Sequence, residues 1–380
     1  MSVESPSAAA RAAAPGWFLL TTCCPGAEAA LVARQQAVMP ALRRAAWRRG
    51  VVTFRVADSA PADDLAPDLV FARACVRSLG QVTGVDDQAR AAAALALAGT
   101  APWEAVHVWK RDERLEADTA VIGGLLAAGV GIAAAGGTAR PGGLVLDCVV
   151  DAPDRWWIGR HRATAPPGIW PGGVAPTTLP DGCVSRAWLK LDEAIAVFGL
   201  RLEPGQRAIE LGAAPGGACQ RLLEAGLEVT GVDPALVDPR VASHPRFRQW
   251  RMRARDVKLQ ACRGCDWLVC DMNIDPTSTM AALERLLTAP GARPVGVIAT
   301  LKLPTWSRAE ALPAWLDAFT GWGYAPRARQ LATGGRELCV AAVAHAAAGG
   351  GPSVVRTARA SRPRAAGGLR PRRARRRQAP

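Results

Sequence analysis

The chain holds 47 basic residues, and only four are lysine: Lys110, Lys190, Lys258 and Lys302. Two of these sit in the same tripeptide, Leu-Lys-Leu, at 189–191 and 301–303. Arginine keeps its proton in a protein, whereas a lysine shielded by apolar neighbours can lose it. Two lysines in apolar settings therefore point to proton or charge chemistry. Taken alone, either is equally a lysine that runs its stem along buried surface. Lys302, in "ATLKLPTW", has two ways to act. Neutral, it can accept a proton as a general base; charged, it can only orient a group and stabilise developing negative charge. Flanking leucines and a second lysine lower its pKa and nearby carboxylates raise it, so the sequence leaves the choice open.

A second set of residues reads as a binding turn. "AIELGAAPGGACQRLLEAG", 208–226, is strand, tight turn and helix. Gly212, Gly216 and Gly217 let the backbone turn sharply and let a ligand approach the main chain. The spacing is not G-x-G-x-x-G, which disfavours a nicotinamide dinucleotide. Asp233 closes the next strand, "LEVTGVD", where a carboxylate can accept both hydroxyls of a ribose. Together these specify a nucleoside-bearing cofactor, with an ordinary capped turn as the plainer alternative. Cys262 and Cys265, in "CRGC", have metal-ligand spacing but no second half, and the four histidines are spread along the chain. No metal site is expected.

The elements that must position these residues follow from periodicity. "RAIELG", "LEVTGVD", "DWLVCDM", "PVGVIATLKL" and "ELCVAAVA" alternate with helical segments, which implies a mostly parallel sheet covered on both faces. Ligands of such sheets bind beyond the carboxyl ends of the strands, where the polar residues above fall. Residues 163–183 hold five prolines and four glycines and read as a linker. Before it, strands at 17–23, 51–56, 105–110 and 143–150 and helices at 26–39 and 66–79 predict an α/β region over 17–162. "RFRQWRMRARD", 246–256, sets arginines at alternate positions, as a charged edge strand or a track for an RNA backbone would. Trp156 and Trp157 read as core or interface, or as platforms for unpaired bases.

Hydrophobic content of 49% with 21% charge is that of a soluble globular protein. Ten scattered cysteines fit a reducing compartment. The uncharged stretch 119–139 is long enough to cross a bilayer, but its Gly and Ala content reads as a soluble helix and a Gly-rich turn. No secretory signal opens the chain, so a cytoplasmic protein without a membrane partner is expected. Of the net charge of +14, ten units come from arginines between Arg356 and Arg377. That tail either binds nucleic acid or keeps the chain soluble.

Read in order, "SRAWLKLDEA" (185–194), "ELGAAPGG" (210–217), "VCDM" (269–272) and "LKLP" (301–304) resemble the FtsJ-like S-adenosylmethionine-dependent RNA ribose 2′-O-methyltransferases. The resemblance is strongest to the RlmM type, which modifies a cytidine of large-subunit ribosomal RNA. It covers about 185–343. "CCPGAEAAL" (23–31) is more weakly similar to the opening of that group's THUMP-containing RNA-binding region. The resemblance implies a Rossmann-like methyltransferase domain over 184–345 after a THUMP-like α/β region. A disordered start (1–16) and an Arg-rich disordered tail (346–380) complete the expected organisation. It implies a catalytic tetrad of Lys190, Asp271, Lys302 and Glu337. It also implies S-adenosylmethionine contacts from Ser185, Ala214, Pro215, Gly216, Gly217, Asp233, Asp256 and Asp271, with Asp233 on the ribose diol and Asp256 on the adenine edge. The partner implied is large-subunit ribosomal RNA. One position departs: the group usually carries an aromatic residue after the paired glycines, and here it is Ala218. Two other readings stand beside this one. An RNA-binding or assembly factor would retain the fold without activity; a methyltransferase of small molecules or proteins would have no evident need for paired lysines.

Overall fold

The computed structural model describes residues 16–57 and 70–345, and these fall in one compact unit. The expected start up to residue 15, the Arg-rich tail and residues 66–69 of one expected helix lie outside the described residues. Gly16, assigned above to the start, already begins a strand.

The first half runs β1 (Gly16–Cys23), α1 (Glu28–Val38), β2 (Arg43–Arg48), β3 (Val51–Ala57), β4 (Ala72–Thr83), α2 (Asp87–Ala98), β5 (Trp103–Lys110), α3 (Thr119–Val130), β6 (Leu144–Ala152) and β7 (Arg155–Arg162). The strands form a seven-stranded sheet in the order β2-β3-β1-β4-β7-β6-β5. Only β5 and β6 pair in parallel, so this sheet is more antiparallel than an α/β alternation implies. The helix expected over 66–79 is wrong: from Ala72 the chain is strand. Ala72, Ala74 and Val76 face inward between half-exposed Arg73, Cys75 and Arg77, a period of two. Arginines four apart also fit a helix, which is why the local pattern misleads.

The side chains of Asp86 and Asp118 cap α2 and α3 by accepting first-turn amides, and Gly131 ends α3 in the left-handed conformation. α3 is a helix of 12 residues. No helix among the described residues is long and apolar enough to cross a membrane. Ile122 and Leu126 pack with Val106, Leu146, Trp156 and Ile158 into a satellite core. Trp156 is thus core, and Trp157 packs with Leu20, Val51 and Val149.

Residues 163–183 carry one 3-10 turn but are not a loose tether. Trp170 is buried, and a side chain at Gly173 would meet the Arg73 carbonyl oxygen at 2.2 Å. The second half runs α4 (Ala187–Phe198), β8 (Arg207–Leu211), α5 (Gly217–Glu224), β9 (Glu228–Val232), α6 (Pro239–Ala242), β10 (Phe247–Trp250), β11 (Trp267–Cys270), α7 (Pro276–Leu287), β12 (Gly296–Lys302), α8 (Leu312–Gly321), β13 (Tyr324–Arg329) and β14 (Glu337–Ala344). Its sheet has the order β10-β9-β8-β11-β12-β14-β13. The first five are parallel and β14 is antiparallel to both neighbours. Chain order runs outward from β8 to β10 on one side and from β11 to β12 on the other, so the β8–β11 seam is a topological switch point.

The two sheets share a core. One continuous apolar cluster includes Leu19, Leu31, Phe54 and Phe71 from the first half and Leu211, Val297, Leu312 and Leu338 from the second. At the seam Phe71 meets Trp306 edge to face, and the Gln330 amide donates to the Val70 carbonyl (2.7 Å).

Candidate active site

Four elements deliver the four charged residues to one edge of the second sheet. Asp271 follows the carboxyl end of β11, and Lys302 is the last residue of β12. Glu337 opens β14 directly opposite Lys302 in register, which an antiparallel neighbour alone permits. Lys190 comes from the first turn of α4. The Lys302 ammonium donates to Asp271 (2.8 Å) and Glu337 (2.6 Å), and the Lys190 ammonium lies 3.2 Å and 2.9 Å from the other oxygens of the same two carboxylates. The result is a closed square of alternating charge. Its side chains are only 11–23% exposed, so solvent screens these pairs less than surface pairs.

Burial alone would lower the Lys302 pKa. The contacts with Asp271 and Glu337 outweigh it and raise the pKa well above the ordinary lysine value. Burial likewise pushes the Asp271 carboxyl up, but Lys190 and Lys302 hold it below its ordinary value. Lys302 is therefore an ammonium at neutral pH. It can donate to and steady an oxyanion, but it has no free lone pair to take a proton.

Beside the square lies the glycine turn. Gly212 has φ +83°, and a Cβ there would lie 2.9 Å from the Asp271 carbonyl oxygen. This turn therefore tolerates glycine alone where β8 passes β11. Gly216 and Gly217 open α5, and a Cβ on Gly217 would strike the Ser185 hydroxyl at 2.2 Å. That contact brings Ser185 and the Ala214–Pro215–Gly216–Gly217 turn together. Asp233 accepts from the amides of Ala214 (3.2 Å) and Ala235 (2.8 Å), which ties the ends of β8 and β9. A cleft of about 530 Å³ opens there, lined in part by Gly212, Asp233, Met252, Met272 and Ile274. Its carboxylate, glycine backbone and apolar walls suit a nucleoside. Asp256 is not among its lining residues; its carboxylate is 58% exposed and lies 3.9 Å from Arg255. The alternating arginines split: β10 is short, Arg246 and Arg248 line a cleft at the amino-terminal edge, and Arg253 and Arg255 line the 530 Å³ cleft.

Ala218 is buried and borders, with Ala194, Thr300, Lys190 and Asp271, a small space of about 20 Å³, room for about one water. Cys262 and Cys265 are buried free thiols whose pKa values burial raises, which opposes the thiolate form a metal requires.

Two residues escaped the sequence reading. Glu193, one helical turn after Lys190, is buried. It accepts from the amides of Ala332 (2.7 Å) and Thr333 (2.8 Å) and from the Thr333 hydroxyl (2.6 Å). It thereby clamps the loop that leads to Glu337. Its i,i+3 spacing from Lys190 is the only local signal. Glu210, in the middle of "AIELG", is fully buried on β8. Burial pushes its pKa from 4.5 up to about 8, helped by Asp271 and Asp233 and opposed by Cys219. A carboxyl inside an apolar strand was the sign available.

Residues 183–305 match the family described as FtsJ-like methyltransferase. Proteins named ribosomal RNA large subunit methyltransferase M from Halorhodospira halophila, Methylococcus capsulatus and Laribacter hongkongensis are 35%, 39% and 36% identical to it. The matches cover 45%, 37% and 43% of this chain. They span 50%, 40% and 45% of those relatives, so about half their length or less. Among solved structures, a Plasmodium falciparum ribosomal RNA methyltransferase is similar at TM-score 0.33 and 17% identity, over 42% of this chain and 97% of that one. TrmN from Thermus thermophilus is similar at TM-score 0.32 and 15% identity, over 86% and 99%. These structural likenesses are too distant to add to the sequence match. Over residues 183–305 this chain is therefore similar to the FtsJ-like methyltransferases.

Proposed function

We propose that the chain transfers a methyl group from S-adenosylmethionine to a ribose 2′-hydroxyl, that of a cytidine, in large-subunit ribosomal RNA. The observation that carries this reading is the closed Lys190–Asp271–Lys302–Glu337 square beside the glycine turn of an FtsJ-like domain. A hydroxyl acceptor needs charge control at its oxygen, and this group supplies it; the names of the relatives point to the same RNA.

S-adenosylmethionine supplies the electrophilic methyl when bound. The Gly212–Gly217 backbone and Ser185 would hold it, with Asp233 on the ribose hydroxyls and Asp256 toward the adenine edge. In the reaction Lys302 donates to the ribose 2′-oxygen, fixes its direction and stabilises negative charge as the O–C bond forms. Asp271 and Glu337 keep Lys302 charged and in place, and Lys190 balances them. The hydroxyl proton departs as the bond forms, to water or to one of the two carboxylates. The orienting role follows from the charge state of Lys302; the general-base role does not.

The seven-stranded sheet over 16–162 would be the THUMP-like RNA-docking region. A cleft of about 640 Å³ supports this, lined in part by Arg73, Lys110, Trp109 and Trp306 and reaching Arg336, next to Glu337. Basic side chains would meet phosphates there and the tryptophans unpaired bases.

The test compares ribosomal RNA from a strain lacking the gene with RNA from the same strain carrying wild type or Lys302→Ala. Sites of 2′-O-methylation resist alkaline cleavage. One large-subunit site lost on deletion and restored by wild type alone is expected. Restoration by Lys302→Ala removes the tetrad mechanism, and no lost site in the ribosomal RNA removes the substrate assignment.

A further inference from the structure

On the first sheet, two of the four histidines of this chain come together around one carboxylate. His107 lies on the edge strand β5, Asp147 opposite it on β6, and His161 on β7. One nitrogen of each ring and one Asp147 oxygen all lie within 4.8 Å of one another. His107 and Asp147 are fully buried, and the His161 side chain is 14% exposed.

The hydrogen bonds orient both rings alike. His107 Nε2 is 3.1 Å from the Gly137 carbonyl oxygen, and His161 Nε2 is 2.7 Å from that of Gly168. A carbonyl only accepts, so both Nε2 atoms carry hydrogen and each Nδ1 is the other face of its ring. His161 Nδ1 lies 2.6 Å from Asp147 Oδ2. His107 Nδ1 and Asp147 Oδ1 are buried with no hydrogen-bond partner. Two such orphaned atoms in one buried cluster are costly unless something joins them.

We infer that His107 Nδ1, Asp147 and His161 Nδ1 bind one divalent transition-metal ion, zinc by its ligand chemistry. Histidine ligands of metals characteristically donate their second N–H to a carbonyl or carboxylate, and here both do. Two imidazoles and a carboxylate suit zinc, with water as the fourth ligand. Tetrahedral ligands about 2.0–2.1 Å from zinc lie roughly 3.3 Å apart, so closure needs shifts of about an ångström. Binding replaces the Nδ1 proton of His161, which is released to solvent, and it satisfies both orphaned atoms. The ion would join the sheet edge to two segments lacking regular structure: the loop carrying Gly137 and the Pro/Gly-rich segment carrying Gly168.

The full-length protein, purified from zinc-supplemented medium and gel-filtered, is expected to carry one equivalent of zinc by plasma mass spectrometry. After chelation, cobalt(II) should give tetrahedral visible bands without the near-ultraviolet thiolate charge-transfer band that binding at cysteines would add. His107→Gln keeps the hydrogen bond to Gly137 and should abolish binding; Cys262→Ser with Cys265→Ser should leave it intact. Zinc below a tenth of an equivalent with no cobalt spectrum, a thiolate band, or unchanged zinc in His107→Gln each overturns the site and leaves an ordinary buried Asp–His pair. Should His107→Gln fail to fold, wild type decides: its thermal midpoint should rise when zinc is returned after chelation, and no rise overturns the inference.

Discussion

Lys302 is the residue on which the proposed chemistry turns, and its charge is set by neighbours 31 and 35 positions away in the chain. Its raised pKa means that the ion pairs stabilise the fold below the ordinary lysine pKa and are lost only as pH rises through the higher folded value. Asp271, with a lowered pKa, stabilises above its ordinary value, and that stability is lost as pH falls through the folded one. The square is thus intact across neutral pH. Lys302→Ala should cost about 10²–10³ in the single-turnover methylation rate. Lys302→Arg should retain more of the rate than Lys302→Ala, since an orienting cation is kept; equal loss would restore the general-base reading. Glu210 supplies a second prediction. Its carboxyl ionises near pH 4.5 in an unfolded chain but only at about 8 when folded. As pH rises between these values the unfolded state loses a proton that the folded state keeps, so stability falls. Glu210→Gln removes this contribution, and its thermal midpoint should decline less steeply than that of wild type between pH 5 and 8.

At the scale of elements, the arrangement depends on α4 doing two jobs from one face. It presents Lys190 to the square and, through Glu193, holds the loop before β14. Glu193→Ala leaves the amides of Ala332 and Thr333 without their partner, a loss of roughly 2–4 kcal/mol in stability. Because the released loop carries Glu337, the methylation rate should fall while the affinity for S-adenosylmethionine, measured by calorimetry, stays close to wild type. A parallel loss of both would mean that Glu193 only supports the fold.

On the scale of the whole molecule, the apolar cluster shared by the two sheets argues against independent halves. Phe71 against Trp306, and Gln330 bonded to Val70, lie at the seam through which the first sheet buries residues of the second. Calorimetry of the full chain should show one cooperative unfolding transition. Two well-separated transitions would mean that the halves fold alone and that the seam contributes little. A joined pair of sheets also keeps the 640 Å³ cleft in fixed relation to Glu337, which an enzyme selecting one nucleotide would need.

Local pattern determined what depends on neighbours in the chain. β8, β9, β11, β12 and β14 were legible because strands buried on both faces are short apolar runs, and the Gly212–Gly217 turn because only glycine tolerates that backbone. Lys190 and Lys302 stood out by type alone. Tertiary structure decided what depends on distant partners. Ala72–Thr83 became a strand because flanking strands pair with it, although its arginine spacing fits a helix equally well. The charge of Lys302 waited on two carboxylates, since desolvation and ion pairing act oppositely and only their distances settle the sign. His107 and His161 looked solitary in the sequence; three adjacent strands bring them to one aspartate.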